Sequence, residues 1–125
     1  MESDRRAILV SQRITRVCID HAVTLLTDGG FEVRLETPFS LTRADGSTRI
    51  DPRDREAAAG VLSLLHEVIE AAEFEPSGQL TIAFSDGTRL VASPHAQFEA
   101  WVVTDSSGGR VVCLPGGGVS EWSGR

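Results

Sequence analysis

The sequence predicts an α+β domain: a mostly antiparallel, meandering sheet with one long amphipathic helix packed on one face. Three observations carry this. Apolar and polar residues alternate in FEVRLE, where Phe31, Val33 and Leu35 oppose Glu32, Arg34 and Glu36 with the period of a half-buried strand. Asp-Gly pairs at Asp28-Gly29, Asp45-Gly46 and Asp86-Gly87 stand where hairpins would turn. Between 52 and about 72 the period becomes helical, with Ala58, Val61, Leu62, Leu65, Val68, Ile69 and Ala72 on one stripe.

Taken in order, AVTLLT runs into Asp28-Gly29-Gly30 and then FEVRLE, so residues 22 to 36 read as a hairpin. Phe39 to Thr42 reads as a short strand that turns at Asp45-Gly46 toward Ser47 to Ile50. Asp51-Pro52 is a helix-start signal, because the aspartate oxygen can accept an orphan amide hydrogen bond and proline at the first helical position has no amide hydrogen to leave unsatisfied. Gly60 inside the helix costs about 1 kcal/mol relative to alanine, which suggests close approach to the sheet. Pro76-Ser77-Gly78 ends the segment, and QLTIAFSDGTRLVA supplies a second hairpin at 79 to 92.

Aligned on Thr27-Asp28-Gly29 and Ser85-Asp86-Gly87, residues 14–36 and 68–92 suggest a weak internal repeat; convergent hairpin grammar explains the likeness as well as duplication does. FEAWVV, the turn at Asp105 to Gly109, RVVCLP and PGGGVSEW form a third hairpin. Val111 to Leu114 are apolar without alternation, as in a strand covered on both faces and lying beneath the helix. Residues 123 to 125 are expected to fray.

The length, 125 residues, is that of one domain spanning 1–125 with a core of its own, so neither metal nor disulfide is needed for folding. Two cysteines and an opening MESDRR without an apolar stretch lead to the expectation of free thiols in the cytoplasm. No stretch reaches the roughly 18 apolar residues of a membrane helix. All 12 basic residues are arginine, and lysine, tyrosine and asparagine are absent, types that share A/T-rich codons and so point to a GC-rich genome. Schiff-base lysines, the P-loop lysine and tyrosine acids or nucleophiles are therefore impossible. A net charge of −6 opposes nucleic-acid binding. Arg5, Arg6, Arg13 and Arg16 make a locally basic segment, but Glu2, Asp4 and Asp20 flank it, so it reads as a solvated face.

Four constellations could carry chemistry. Gly116, Gly117 and Gly118 could form a nest of amide donors for an anion, or an ordinary turn that brings Trp122 back to the body of the domain. Cys113 could be a nucleophile with His95 as base and Glu99 as orienter, but it lies in an apolar run where burial makes a thiol inert. Cys18 and His21 have a metal-like spacing but are half a site, and no cofactor is implied. The fourth is His95 to Trp101. If it ends in a strand, Glu99 and Trp101 share one face while Phe98, Ala100 and Val102 share the other. The carboxylate and indole then serve either as internal structure or as an exposed contact for a partner.

Pro38-Phe39, Asp51-Pro52 before a helix, Gly78 and Leu80 with Asp86-Gly87, FEAW at 98 to 101 and PGGG with a late tryptophan make an ordered set over residues 14 to 122. The set resembles a family of small actinobacterial proteins of unknown function, departing from it at Phe98, where a tyrosine is expected. The resemblance implies fold and lineage and no catalytic residue. The sequence thus leads to a non-catalytic, acidic module that binds another protein, of adaptor or toxin-neutralising type. Its contacts would come from His95, Glu99, Trp101 and Trp122. The competing expectation is a small-molecule binder or minor hydrolase with a pocket near Glu99, Trp101 and His95. A homodimer through an uncovered sheet face or edge is the third.

Overall fold

The computed structural model describes residues 9–122 and contains two antiparallel sheets. The chain runs β1 (Ile14–Ile19), β2 (Val23–Thr27), β3 (Glu32–Leu35), β4 (Phe39–Arg43) and β5 (Gly46–Ile50), then a helical turn α1 (Arg55–Ala58) continued by a 3-10 segment (Ala59–Leu64). It goes on through β6 (Ile69–Phe74), β7 (Leu80–Phe84), β8 (Arg89–Ala92), β9 (Trp101–Thr104), β10 (Arg110–Cys113) and β11 (Val119–Trp122). One sheet has the order β1-β2-β3-β9-β10-β11 and the other β5-β4-β8-β7-β6. Arg5, Arg6 and the expected fraying at 123–125 lie outside the described residues.

The expected long helix over 52 to 72 is not formed, and the α+β class is corrected, for the described residues, to two antiparallel sheets with only a short helical segment, Arg55–Ala58 and Ala59–Leu64, in the place of that helix. Asp51 spends its side chain on Arg53 N at 3.0 Å, and it is Asp54 that caps the helix, accepting from Glu56 N and Ala57 N. Four α-helical residues pass into six of 3-10 helix, Leu65 is already extended, and His66 takes φ 75°. Leu62 and Leu65, members of the expected stripe, are 52% and 36% exposed, whereas Leu64, off that stripe, is fully buried. Gly60 does lie close to its neighbour: a Cβ there would sit 3.2 Å from Ile50 Cδ1.

The misreading has a geometric origin. The β6–β7 register shifts between Ile69 and Ala71, so a bulge sends Ile69, Ala72 and Phe74 all to the core. A strand with a bulge repeats its inward face after three residues, which is also the return of a helical turn. Val111 to Cys113 are buried as expected, but as strand β10 between β9 and β11 and not beneath a helix.

Packing follows the alternation. Leu25, Val33, Val103 and Val111 stand in one register row of the six-stranded sheet, all at 0% exposure. Ile82, Leu90 and Leu41 do the same in the five-stranded sheet, and all belong to a single apolar core. Along one border the sheets are sewn together. Ile14 N donates to Glu67 O, Ile69 N to Gln12 O, Ser11 N to Ile69 O and His66 N to Ile14 O, around a bridge between Arg13 and Val68.

Candidate partner-binding surface

Trp101, His95 and the three glycines 116–118 gather at one end of the molecule, where β8 leads over to β9. Trp101 opens β9 with 0% exposure; its Nε1–H donates to Gly78 O at 2.8 Å, and its ring lies 5.6 Å from that of Phe74. The indole therefore serves the interior. Gly78 must be small as well as left-handed, at φ 104°, because a Cβ there would meet Pro94 Cγ at 2.9 Å and Gly118 N at 3.0 Å.

The three glycines are not an anion nest. Gly116 N donates to His95 O, Gly117 N to Leu114 O and Gly118 N to Ser77 O, at 2.8, 3.0 and 2.8 Å. Their amides are spent holding the β10–β11 turn against the β6–β7 turn and the loop that carries His95. An amide already donating to a carbonyl has little left to offer an anion.

Cys113 does not assemble a thiol site. It is 0% exposed, burial pushes its thiol up from the ordinary range, and the Glu99 charge pushes the same way against a backbone hydrogen bond involving Ala100. His95 is half-buried, its Nδ1 accepts from Gln97 N at 3.0 Å, and its ring lies 5.0 Å from Phe98. Glu99 is exposed in the irregular segment just before β9, so it does not share the inward face of Trp101. Both cysteines are free thiols. Among the described residues no group of three or more His, Cys, Asp or Glu could hold a metal ion.

Trp122 lies elsewhere. The β10–β11 ladder pairs Cys113 with Val119 and Arg110 with Trp122, so the indole sits at the far end of β11 from the Trp101 cluster. It is 46% exposed, with the Arg110 guanidinium 5.2 Å from its ring centroid, an arrangement that pins the indole through cation–π attraction. The registers extend this pair into a row across the outer face of the six-stranded sheet: Arg16, Leu26, Glu32, Thr104, Arg110 and Trp122. Beside it run Arg34, Val102, Val112 and Ser120, with Arg34 Nε 3.0 Å from Glu36 and Nη2 4.0 Å from Asp20. Sequence reasoning missed Arg110 and Leu26, and it gave Phe98, 50% exposed, no role of its own. Only the strand register brings Arg110 and Leu26 into one row with Trp122.

What these elements define is a two-sheet antiparallel domain with a buried tryptophan node at one end and an exposed tryptophan–arginine pair at the other. By sequence the chain belongs to the family of unknown function DUF6188, whose model matches residues 6–123. No curated protein and no solved structure matches it. Among the described residues no helix is long and apolar enough to cross a membrane.

Proposed function

We propose that the chain is a non-catalytic protein-binding module whose contact surface is the outer face of the six-stranded sheet around Trp122. One observation carries this reading: an indole nearly half exposed, held by Arg110, at the end of a row that includes half-buried Leu26. Tryptophan and arginine are among the residue types most enriched where interfaces concentrate their binding energy, and an indole already pinned loses little conformational freedom on association. The role is of adaptor or toxin-neutralising type, exercised in the cytoplasm, where the free thiols Cys18 and Cys113 would persist.

The test places a photo-crosslinking residue at Ser120, which shares the outer face with Trp122, and another at exposed Glu56 on the helical turn, in cells of the native host. A discrete crosslinked protein at position 120, absent at 56 and lost when Trp122→Ala is added, is the expected result. Identical products at both positions, or a product indifferent to Trp122→Ala, would sink the reading.

A further inference from the structure

The five-stranded sheet carries an inference that does not depend on the Trp122 surface. We propose that the open edge of β5 accepts an extended acidic segment of another protein as an added antiparallel strand, in the place that β11 takes at the edge of the other sheet.

The chain itself supplies the comparison. Each half is a three-stranded meander followed by a hairpin that crosses to the other sheet, β4–β5 reaching β8 and β9–β10 reaching β3. β5 and β10 are therefore the corresponding outer strands of those hairpins. β10 is covered by β11, whereas β5 ends its sheet.

The hydrogen bonds tell which groups β5 turns outward. Phe84 N donates to Thr88 O, so these two are a hydrogen-bonded pair of the β7–β8 ribbon and the next pair, Ala83 and Arg89, is not. Arg89 therefore points its backbone groups at Thr42 of β4, and Thr42 points its own back at β8 and away from Ser47. Ser47 and, two residues on, Arg49 are left directing N–H and C=O off the edge of the sheet. The same count from Asp105 N and Gly109 O makes Arg110 and Val112 the outward residues of β10, and these pair with Trp122 and Ser120 of β11. Among the described residues the matching groups of Ser47 and Arg49 have no backbone partner.

The edge is open to approach. Gly46 to Arg49 are exposed, the β4–β5 register is unbroken, and neither proline nor bulge interrupts the strand. The helical segment after β5 packs inward: a Cβ on Gly60 would stand 3.2 Å from Ile50 Cδ1, and Val61 and Leu64 are buried.

Charge selects the occupant. The Arg49 guanidinium has no ion-pair or hydrogen-bond partner among the described residues. A second copy is a poor fit, because pairing β5 with β5 so that the outward groups match sets Arg49 opposite Ser47. The two Arg49 Cα atoms then lie about 8 Å apart, with no carboxylate in either strand. A segment with a carboxylate opposite Arg49 completes the pair instead. The residue opposite Ile50 is apolar, since Val119, opposite Cys113 in β11, packs against the core.

Two-dimensional NMR on the full chain reads the contact residue by residue. The probe is the blocked peptide acetyl-Thr-Val-Glu-Val-Thr-Thr-amide, its glutamate set opposite Arg49 and its fifth residue opposite Ser47. Two pairs of backbone bonds without a deep pocket give half-saturation near about 1 mM. The Ser47 and Arg49 amide protons are expected to move downfield as they gain acceptors, and that of Thr48, turned toward β4, much less. N-methylation at the glutamate or at the fifth residue abolishes the shifts, and N-methylation of the valine between them does not. Lysine in place of the glutamate weakens binding by about tenfold, and Arg49→Glu, an exposed substitution whose folding circular dichroism checks, reverses that preference. No saturable shift at Ser47 and Arg49 by about 10 mM peptide, shifts indifferent to the position of the methyl group, or a charge preference that Arg49→Glu leaves unchanged would each overturn the proposal. So would β5 shifts that follow the concentration of the protein alone, which mark a second copy as the occupant.

Discussion

Trp101 shows how much of the sequence's most conspicuous segment belongs to the interior. Its indole packs against Phe74 and gives its only side-chain polar hydrogen to Gly78 O. Trp101→Phe leaves that carbonyl without its indole partner and opens a cavity, so a loss of about 2–4 kcal/mol is expected in a denaturant titration. A change under about 0.5 kcal/mol would mean that the indole is not enclosed. Thr88 has the opposite balance: its hydroxyl is buried with no hydrogen-bond partner among the described residues, and the side chain is 1% exposed. Thr88→Val keeps the branched shape and removes the unsatisfied oxygen, and the same titration should show a gain of about 1 kcal/mol. The cysteines divide by exposure, Cys18 being half-buried and Cys113 buried. With its thiol pushed up by burial, Cys113 holds little thiolate at neutral pH, and its share grows only as pH rises past the ordinary thiol range. Iodoacetamide should therefore label Cys18 first in the native protein and reach Cys113 on unfolding; equal rates at neutral pH would contradict the burial.

At the scale of elements, the hairpins were legible and the segment between them was not. Alternation in FEVRLE and LTIAF is local information, and Asp-Gly turns fix where each ribbon reverses. The stretch from 58 to 72 carries two signals superposed, a short helical turn and a bulged strand, whose combined spacing imitates one long helix. What separates them is His66 at φ 75°, a conformation that nothing in the residue type announces. The outer row at Trp122 was illegible for another reason: Leu26, Arg110 and Trp122 join one row only through pairings between distant strands. The two readings of 58 to 72 part at Leu62 and Leu64. On the helical stripe Leu62 would be core and Leu64 would not, whereas here Leu62 is 52% exposed and Leu64 fully buried. Leu64→Ala should cost about 2–5 kcal/mol in thermal or denaturant unfolding and Leu62→Ala less than about 1. The reverse order would restore the long helix.

Across the whole molecule the halves are interlocked. Residues 14–35 form a three-stranded meander in one sheet and residues 69–92 form one in the other. Their details correspond: each first strand has a register shift at its start, Thr27 N donates to Phe31 O as Phe84 N does to Thr88 O, and Ser11 and His66 both take positive φ where the two meanders meet. After its meander the chain crosses over and adds strands to the other sheet in each half, β4 pairing with β8 and β9 with β3. Neither half then owns a complete sheet. Cut between Ala58 and Ala59, the N-terminal fragment keeps β1 to β5 but loses β9 from beside β3 and β8 from beside β4, and its core residues Val33 and Leu41 lose their cover. Three strands and a separated hairpin in the first fragment, and two three-stranded meanders from different sheets in the second, bury too little apolar area to offset the entropy of ordering them. Each fragment alone should therefore give a disordered circular dichroism spectrum, and an equimolar mixture should recover the β-sheet spectrum and a cooperative thermal transition. A fragment that folds by itself would show that the crossing strands decorate two independent halves and do not bind them into one.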